Sequence, residues 1–184
     1  MIKQFISVKT VVAIGIGAAL MFVLNRFAGI PVGVANTNIQ LGMAILAVFA
    51  AIFGPIAGFL IGFIGHTLVD LTAGWGIWWS WITASGIFGL LVGALWKLYR
   101  IEDGNFGIKE CLIFNGVQIA ANILAYVFVA RSLDVLIFRE PFDKVTLQSF
   151  VASGVNSATI LILGSLLIFG YIKTMARAGS LKKE

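Results

Sequence analysis

The sequence predicts an all-α membrane protein with six transmembrane helices and both termini on the cytoplasmic side. Three observations carry that prediction. Hydrophobic residues fill 60% of the 184 positions and charged residues 11%, with a mean hydropathy of +1.02. A soluble domain of this length has too much surface to hide so much apolar area. Uncharged runs approach the roughly 20 residues that a helix needs to cross the hydrocarbon core. The Lys and Arg residues gather at segment ends and favour one side.

The predicted spans cover residues 10–27, 39–53, 55–72, 81–97, 110–131 and 147–172. The first follows Lys3 and Lys9 and imitates a signal peptide; the later spans make it an uncleaved first helix. Between the first two spans, "GIPVGVANTNIQ" holds Gly, Pro and Asn and reads as a loop. The second span is short and stops at the turn signal Gly54-Pro55. Residues 98–109 are charged and turn-rich, and residues 132–146 read as a longer, partly apolar loop. With both termini inside, the cytoplasmic side holds Lys3, Lys9, Lys97, Arg100, Lys109, Lys173, Arg177, Lys182 and Lys183. The outer side holds Arg26, Arg131, Arg139 and Lys144. The chain is expected to form one integral membrane domain, 1–184, with no soluble enzyme or ATPase module.

Net charge is +5, but the positive residues form no stripe interleaved with aromatics, as nucleic acid would require. Anionic lipid at the cytoplasmic face accounts for them. Cys111 is the sole cysteine, which excludes an internal disulfide and any CxxC motif. Enzyme signatures such as GxSxG, HExxH and Walker A are absent. Small residues recur at four-residue spacing: Gly15 and Ala19 with Ala18 alongside, then Gly54, Gly58 and Gly62, then Ser85, Gly89 and Gly93. Such ridges let helix backbones approach closely in lipid. The last two sets read as internal packing. The face on the first helix fits internal packing or docking of a second membrane protein.

One stretch concentrates chemistry. "GHTLVDLTAGWGIWWSW" carries the single histidine, His66, four residues before Asp70, and then Trp75, Trp78, Trp79 and Trp81. His66 and Asp70 share a helical face. A structural His–Asp hydrogen bond, a ligand contact and a metal site are the competing readings, in falling order, since no further ligand completes a metal set. Tryptophans at this depth serve as interface anchors, or cover a flat ring by stacking. Polar residues gather toward the same end: Asn36, Thr37, Asn38 and Gln40; Gln118, Asn122 and Tyr126; Ser149, Ser153 and Asn156. An apolar pocket with a few directed polar groups is the usual small-molecule site. Its expected lining is Asn36, Asn38, His66, Asp70, Trp75, Trp78, Trp79, Asn122, Tyr126, Ser153 and Asn156. Neutral amides and one carboxylate suit a flat, neutral or weakly charged heterocycle.

These residues carry a family resemblance. The first helix "VVAIGIGAALMFVLNRF", the run "GPIAGFLIGFIGHTLVDLTAGWGIWWSWITASGIFGLLVG" and the last helix "FVASGVNSATILILGSLL" resemble the substrate-binding S component of an energy-coupling factor (ECF) vitamin transporter. The subgroup resembled is the riboflavin-type or uncharacterised one, closest to the hydroxymethylpyrimidine or pyridoxine type. The resemblance implies capture of a vitamin or precursor from outside, with the first loop as a lid. It also implies docking of Gly15, Ala18 and Ala19 on a transmembrane T component driven by two cytoplasmic ATPases. In that family ATP is used by the partner subunits, so no cofactor is expected in this chain. Gly15 departs from the family's AxxxA pattern by replacing its first alanine. A stand-alone secondary transporter or channel is the alternative, but no inverted repeat or midplane ionisable group supports it. An intramembrane enzyme using His66 and Asp70 is a third possibility, with no nucleophile or oxyanion donor indicated.

Overall fold

Ser7 starts the first helix, its Oγ accepting the Thr10 N–H at 3.1 Å, the usual way a serine satisfies a free first-turn donor. The computed structural model describes residues 7–180, with side chains through Met175. Lys3, Lys182, Lys183 and the side chain of Arg177, all part of the charge count, lie outside the described residues. Helix α1 runs Val8–Phe27. A short antiparallel hairpin follows, β1 Ile30–Pro31 against β2 Asn38–Ile39, in the register Ile30 to Ile39 and Pro31 to Asn38. The expected loop is therefore partly ordered by backbone pairing. Asn36 adopts a left-handed conformation at φ 54°, which a short Asx side chain tolerates.

Helix α2, Gly42–Phe53, is the innermost element, with Met43, Leu46, Ala47 and Ala50 fully buried. A helix apolar on all sides belongs in the centre. The side chain of Asn25 ties its start to α1, accepting the Gly42 N–H at 2.8 Å. Gly54 turns the chain at φ +87°, a conformation open to glycine, and Pro55 begins α3, Pro55–Ala73, where its missing N–H costs nothing. Helix α4 spans Trp79–Ala94, two residues earlier than predicted, and passes into a single 3-10 turn, Trp96–Tyr99.

Helices α3 and α4 touch backbone to backbone. A Cβ at Gly58 would collide with the Gly89 carbonyl, one at Gly62 with the Ser85 carbonyl, and one at Gly93 with the Gly54 carbonyl. The internal-packing reading of these two ridges therefore holds. Helix α1 packs on α3 and α2 through side chains: a Cβ at Gly17 would meet Ile61 Cδ1 of α3 at 2.7 Å and Phe49 Cδ1 of α2 at 2.9 Å.

Helix α5 runs Ile108–Phe138 and α6 runs Phe142–Met175 within the described side chains. This corrects the sequence reading, which ended the fifth helix at 131 and placed a loop over 132–146. The segment "SLDVLIF" holds neither Gly nor Pro, and its acidic residue, Asp134, is satisfied inside the fold (below). The helix therefore continues until Arg139 at φ 59° turns the chain toward α6. Its backbone widens to π geometry over Ile123–Ala130 and Asp134–Phe138, as helices often do near functional sites.

Among the described residues there are six helices of twelve residues or more. Four of them, α1, α3, α5 and α6, are long and apolar enough to cross a membrane; α2 and α4 are shorter apolar helices. Large apolar side chains are exposed along the outer helices, including Val12, Ile16, Leu20 and Val23 of α1, Ile123 and Phe128 of α5, and Leu161 and Leu166 of α6. In lipid these are the solvent-facing residues. The all-α membrane class stands; the hairpin adds four strand residues.

Candidate functional site: a cavity under the hairpin

The turn between α3 and α4 shapes the site. Gly74 and Gly76 both take positive φ, 87° and 90°, and hold Trp75 between them. Asp70, one turn before the end of α3, fastens this turn. Its Oδ1 accepts Trp75 Nε1 at 3.1 Å, and its Oδ2 accepts the Trp78 backbone N–H at 2.9 Å. The carboxylate thus fixes where the indoles begin. His66 Nε2 stands 3.7 Å from Asp70 Oδ1, beyond hydrogen-bond range, so the expected direct His–Asp bond is absent. Instead His66 Nδ1 bonds Ser85 Oγ of α4 at 2.6 Å. Ser85 Oγ also meets Tyr126 OH of α5 at 2.8 Å. The phenol in turn reaches Met43 Sδ of α2 at 3.6 Å. One polar chain therefore joins four helices beneath the cavity.

A second carboxylate also lines the cavity. Asp134 is 1% exposed and accepts Ser80 Oγ on one oxygen and Trp81 Nε1, at 2.6 Å, on the other. It brings the extended end of α5 onto the start of α4. Trp81 lies 5.8 Å from the Tyr126 ring, and Trp78 lies 4.7 Å from Phe138. The hairpin covers the mouth. Gln148 of α6 donates from Nε2 to the Ala35 carbonyl at 2.8 Å, and Lys144 pairs with Glu140 at 2.6 Å.

These elements enclose a cavity of about 80 Å³. Eight of the eleven expected residues line it: Asn36, Asn38, His66, Asp70, Trp75, Trp78, Tyr126 and Asn156. Three stand outside the lining. Trp79 is half exposed, with its ring stacked on Phe63 at 6.2 Å. Asn122 is fully buried and bonds Gln118 at both its carbonyl and its side-chain oxygen, 3.0 and 3.1 Å. Ser153 is buried beside the lining residues Ala152 and Asn156 but is not one of them. The polar set on α5 therefore divides, with Tyr126 at the cavity, Gln118 donating to the Ser157 carbonyl of α6 at 3.1 Å, and Asn122 bonded only within α5.

The sequence reading missed Trp81, Asp134, Glu140, Lys144 and Gln148 as lining residues. On α6 the lining positions are Lys144, Gln148, Ala152 and Asn156, a strict four-residue series that places them on one helical face. Of the expected series, Asn156 belongs to this face, while Ser149 and Ser153 lie one residue round the helix. Ser149 Oγ instead bonds the Thr146 carbonyl at 2.9 Å. Asp134 had a signal as well, being the one carboxylate between Glu110 and Glu140.

Of the small residues on α1, Gly15 and Ala19 are exposed, and nothing lies within 4 Å of a Cβ built at Gly15. Ala18 is buried at 3% exposure and turned toward α3, where its carbonyl lies 3.2 Å from a Cβ built at Gly65. Only two of the three expected docking residues therefore sit on an outer surface.

The family model for the ECF-type riboflavin transporter, S component, matches residues 5–173. The chain belongs to that S-component family. Its relatives carry the name UPF0397 protein. One from Lacticaseibacillus casei is 46% identical over 182 residues, covering 99% of this chain and 98% of the relative. One from Lactobacillus helveticus is 48% identical and one from Clostridium perfringens 47%, with the same coverage. No solved structure matches. As an S component the chain is a multi-pass protein of the bacterial cell membrane and a transport subunit, not an enzyme.

Proposed function

We propose that this S component captures a single-ring vitamin or vitamin precursor in the cavity under the hairpin. It then delivers that molecule inward by docking on a T component driven by two ATPases. The observation that carries the reading is the cavity itself. Indoles, amides and carboxylates from the hairpin, α3, α4, α5 and α6 converge on it, at the end of the molecule opposite Lys9 and Trp96. A cavity of about 80 Å³ has room for roughly six water-sized groups at 10–15 Å³ each. That suits hydroxymethylpyrimidine or pyridoxine better than the three fused rings and side chain of riboflavin.

Six membrane crossings with both termini inside fit this reading. The cavity then opens outward under the hairpin, and Lys9, Lys97, Arg100 and Lys109 lie at the cytoplasmic end, where positive residues are favoured. The exposed Gly15 and Ala19 on α1 offer the T component a surface of close approach. Calorimetry on the purified chain without ATP tests the reading. Hydroxymethylpyrimidine or pyridoxine should bind at one per chain; no binding of either, or of riboflavin, would contradict it.

A further inference from the structure

The cavity wall holds more carboxyl groups than a receptor for a neutral ring requires. Asp70 and Asp134 are both buried and both line it, from different helices. Among the described residues no lysine or arginine lies within ion-pair distance of either. The nearest ionisable partner of Asp70 is the His66 imidazole at 3.7 Å. Lys144, the one lysine or arginine in the lining, is engaged by Glu140 at 2.6 Å. Asp134 receives only the uncharged donors Ser80 and Trp81, one on each oxygen, which leaves acceptor capacity on both. A carboxyl group withdrawn from water without a cation is costly. The aromatic rings beside it, those of Trp78, Trp81 and Tyr126, present faces that attract positive charge.

We infer that the cavity selects a flat ring bearing a basic nitrogen, held between these aromatic rings with its protonated edge on Asp134, and rejects phosphate esters of the same ring. The inference rests on the receptor reading above and narrows it to a charge class, with Asp134 as the residue that sets specificity. A basic ring nitrogen supplies the cation that both carboxyl groups lack. A phosphate would meet Asp70, Asp134 and Glu140 with one already paired lysine to offset them.

Isothermal calorimetry with hydroxymethylpyrimidine, its phosphate ester and riboflavin tests this on the unmodified protein. The aminopyrimidine should bind at least about tenfold more tightly than either of the others. Asp134→Asn should weaken aminopyrimidine binding by about tenfold or more, the scale of a lost hydrogen bond to a charged group. Trp79→Ala, whose ring stands outside the cavity on Phe63, should change binding by less than about threefold. Riboflavin or the phosphate ester binding as tightly as the aminopyrimidine would overturn the charge class and leave the receptor reading standing. So would a folded Asp134→Asn protein with unchanged affinity. If Asp134→Asn does not fold, the three-ligand comparison decides alone. Binding of none of the three would remove the receptor reading and this inference together.

Discussion

Asp70 does two jobs with two oxygens, holding the Trp75 indole and the Trp78 backbone. Asp70→Asn keeps the shape but turns one acceptor into a donor facing another donor. The Gly74–Trp78 turn should loosen, and ligand affinity should fall by about 1–3 kcal/mol; a calorimetric affinity equal to wild type would show that the turn does not position the ligand. Asn156 brings an amide to the cavity at 3% exposure. Asn156→Ala should cost a similar amount, read the same way, whereas Trp79→Ala should leave affinity unchanged because that ring stands outside on Phe63. The sequence motif falls at the cavity, but it could not show which of its tryptophans line it. Trp79 and Trp81 are two residues apart, and only the helical phase at the start of α4 decides which one faces inward. The first turn of a helix is where that phase is hardest to read.

At the scale of elements, close packing of α3 on α4 was legible because glycine spacing alone encodes it. Gly89 leaves no room for a methyl group against the Gly58 carbonyl. Gly89→Ala should therefore lower thermal stability in detergent, by the roughly 1–3 kcal/mol typical of overpacking; an unchanged melting temperature would mean the two helices separate easily. The outer face of α1 behaves differently. A side chain at Gly15 meets nothing, so Gly15→Leu should spare folding and ligand binding. It should nevertheless abolish co-purification with a T component and cellular uptake, because a bulky side chain holds docked helices apart. Equal recovery of the complex would refute the docking role. The extension of α5 to Phe138 was not legible. An aspartate in an apolar run reads as a helix end unless its partners are known, and Ser80 and Trp81 lie more than fifty residues away in sequence. The hairpin was hidden for the same reason, since its pairing involves two residues per strand and no alternating pattern can form over so short a length.

For the whole molecule, composition settled the solvent, and the motifs pointed to the family that the match over residues 5–173 established. The shape of the site depended on long-range contacts. The hairpin meets α6 through Gln148 and Ala35, 113 positions apart, and no local rule foresees such a contact. The architecture that results is a receptor. A small polar and aromatic cavity is capped at one end of an apolar bundle, and no nucleotide-binding motif occurs in the chain. A receptor of this kind binds without pumping. Equilibrium uptake of radiolabelled hydroxymethylpyrimidine into vesicles containing only this protein measures that directly. Uptake should saturate at one molecule per chain, unaffected by proton or sodium gradients. Accumulation beyond one per chain that collapses when an ionophore is added would contradict it.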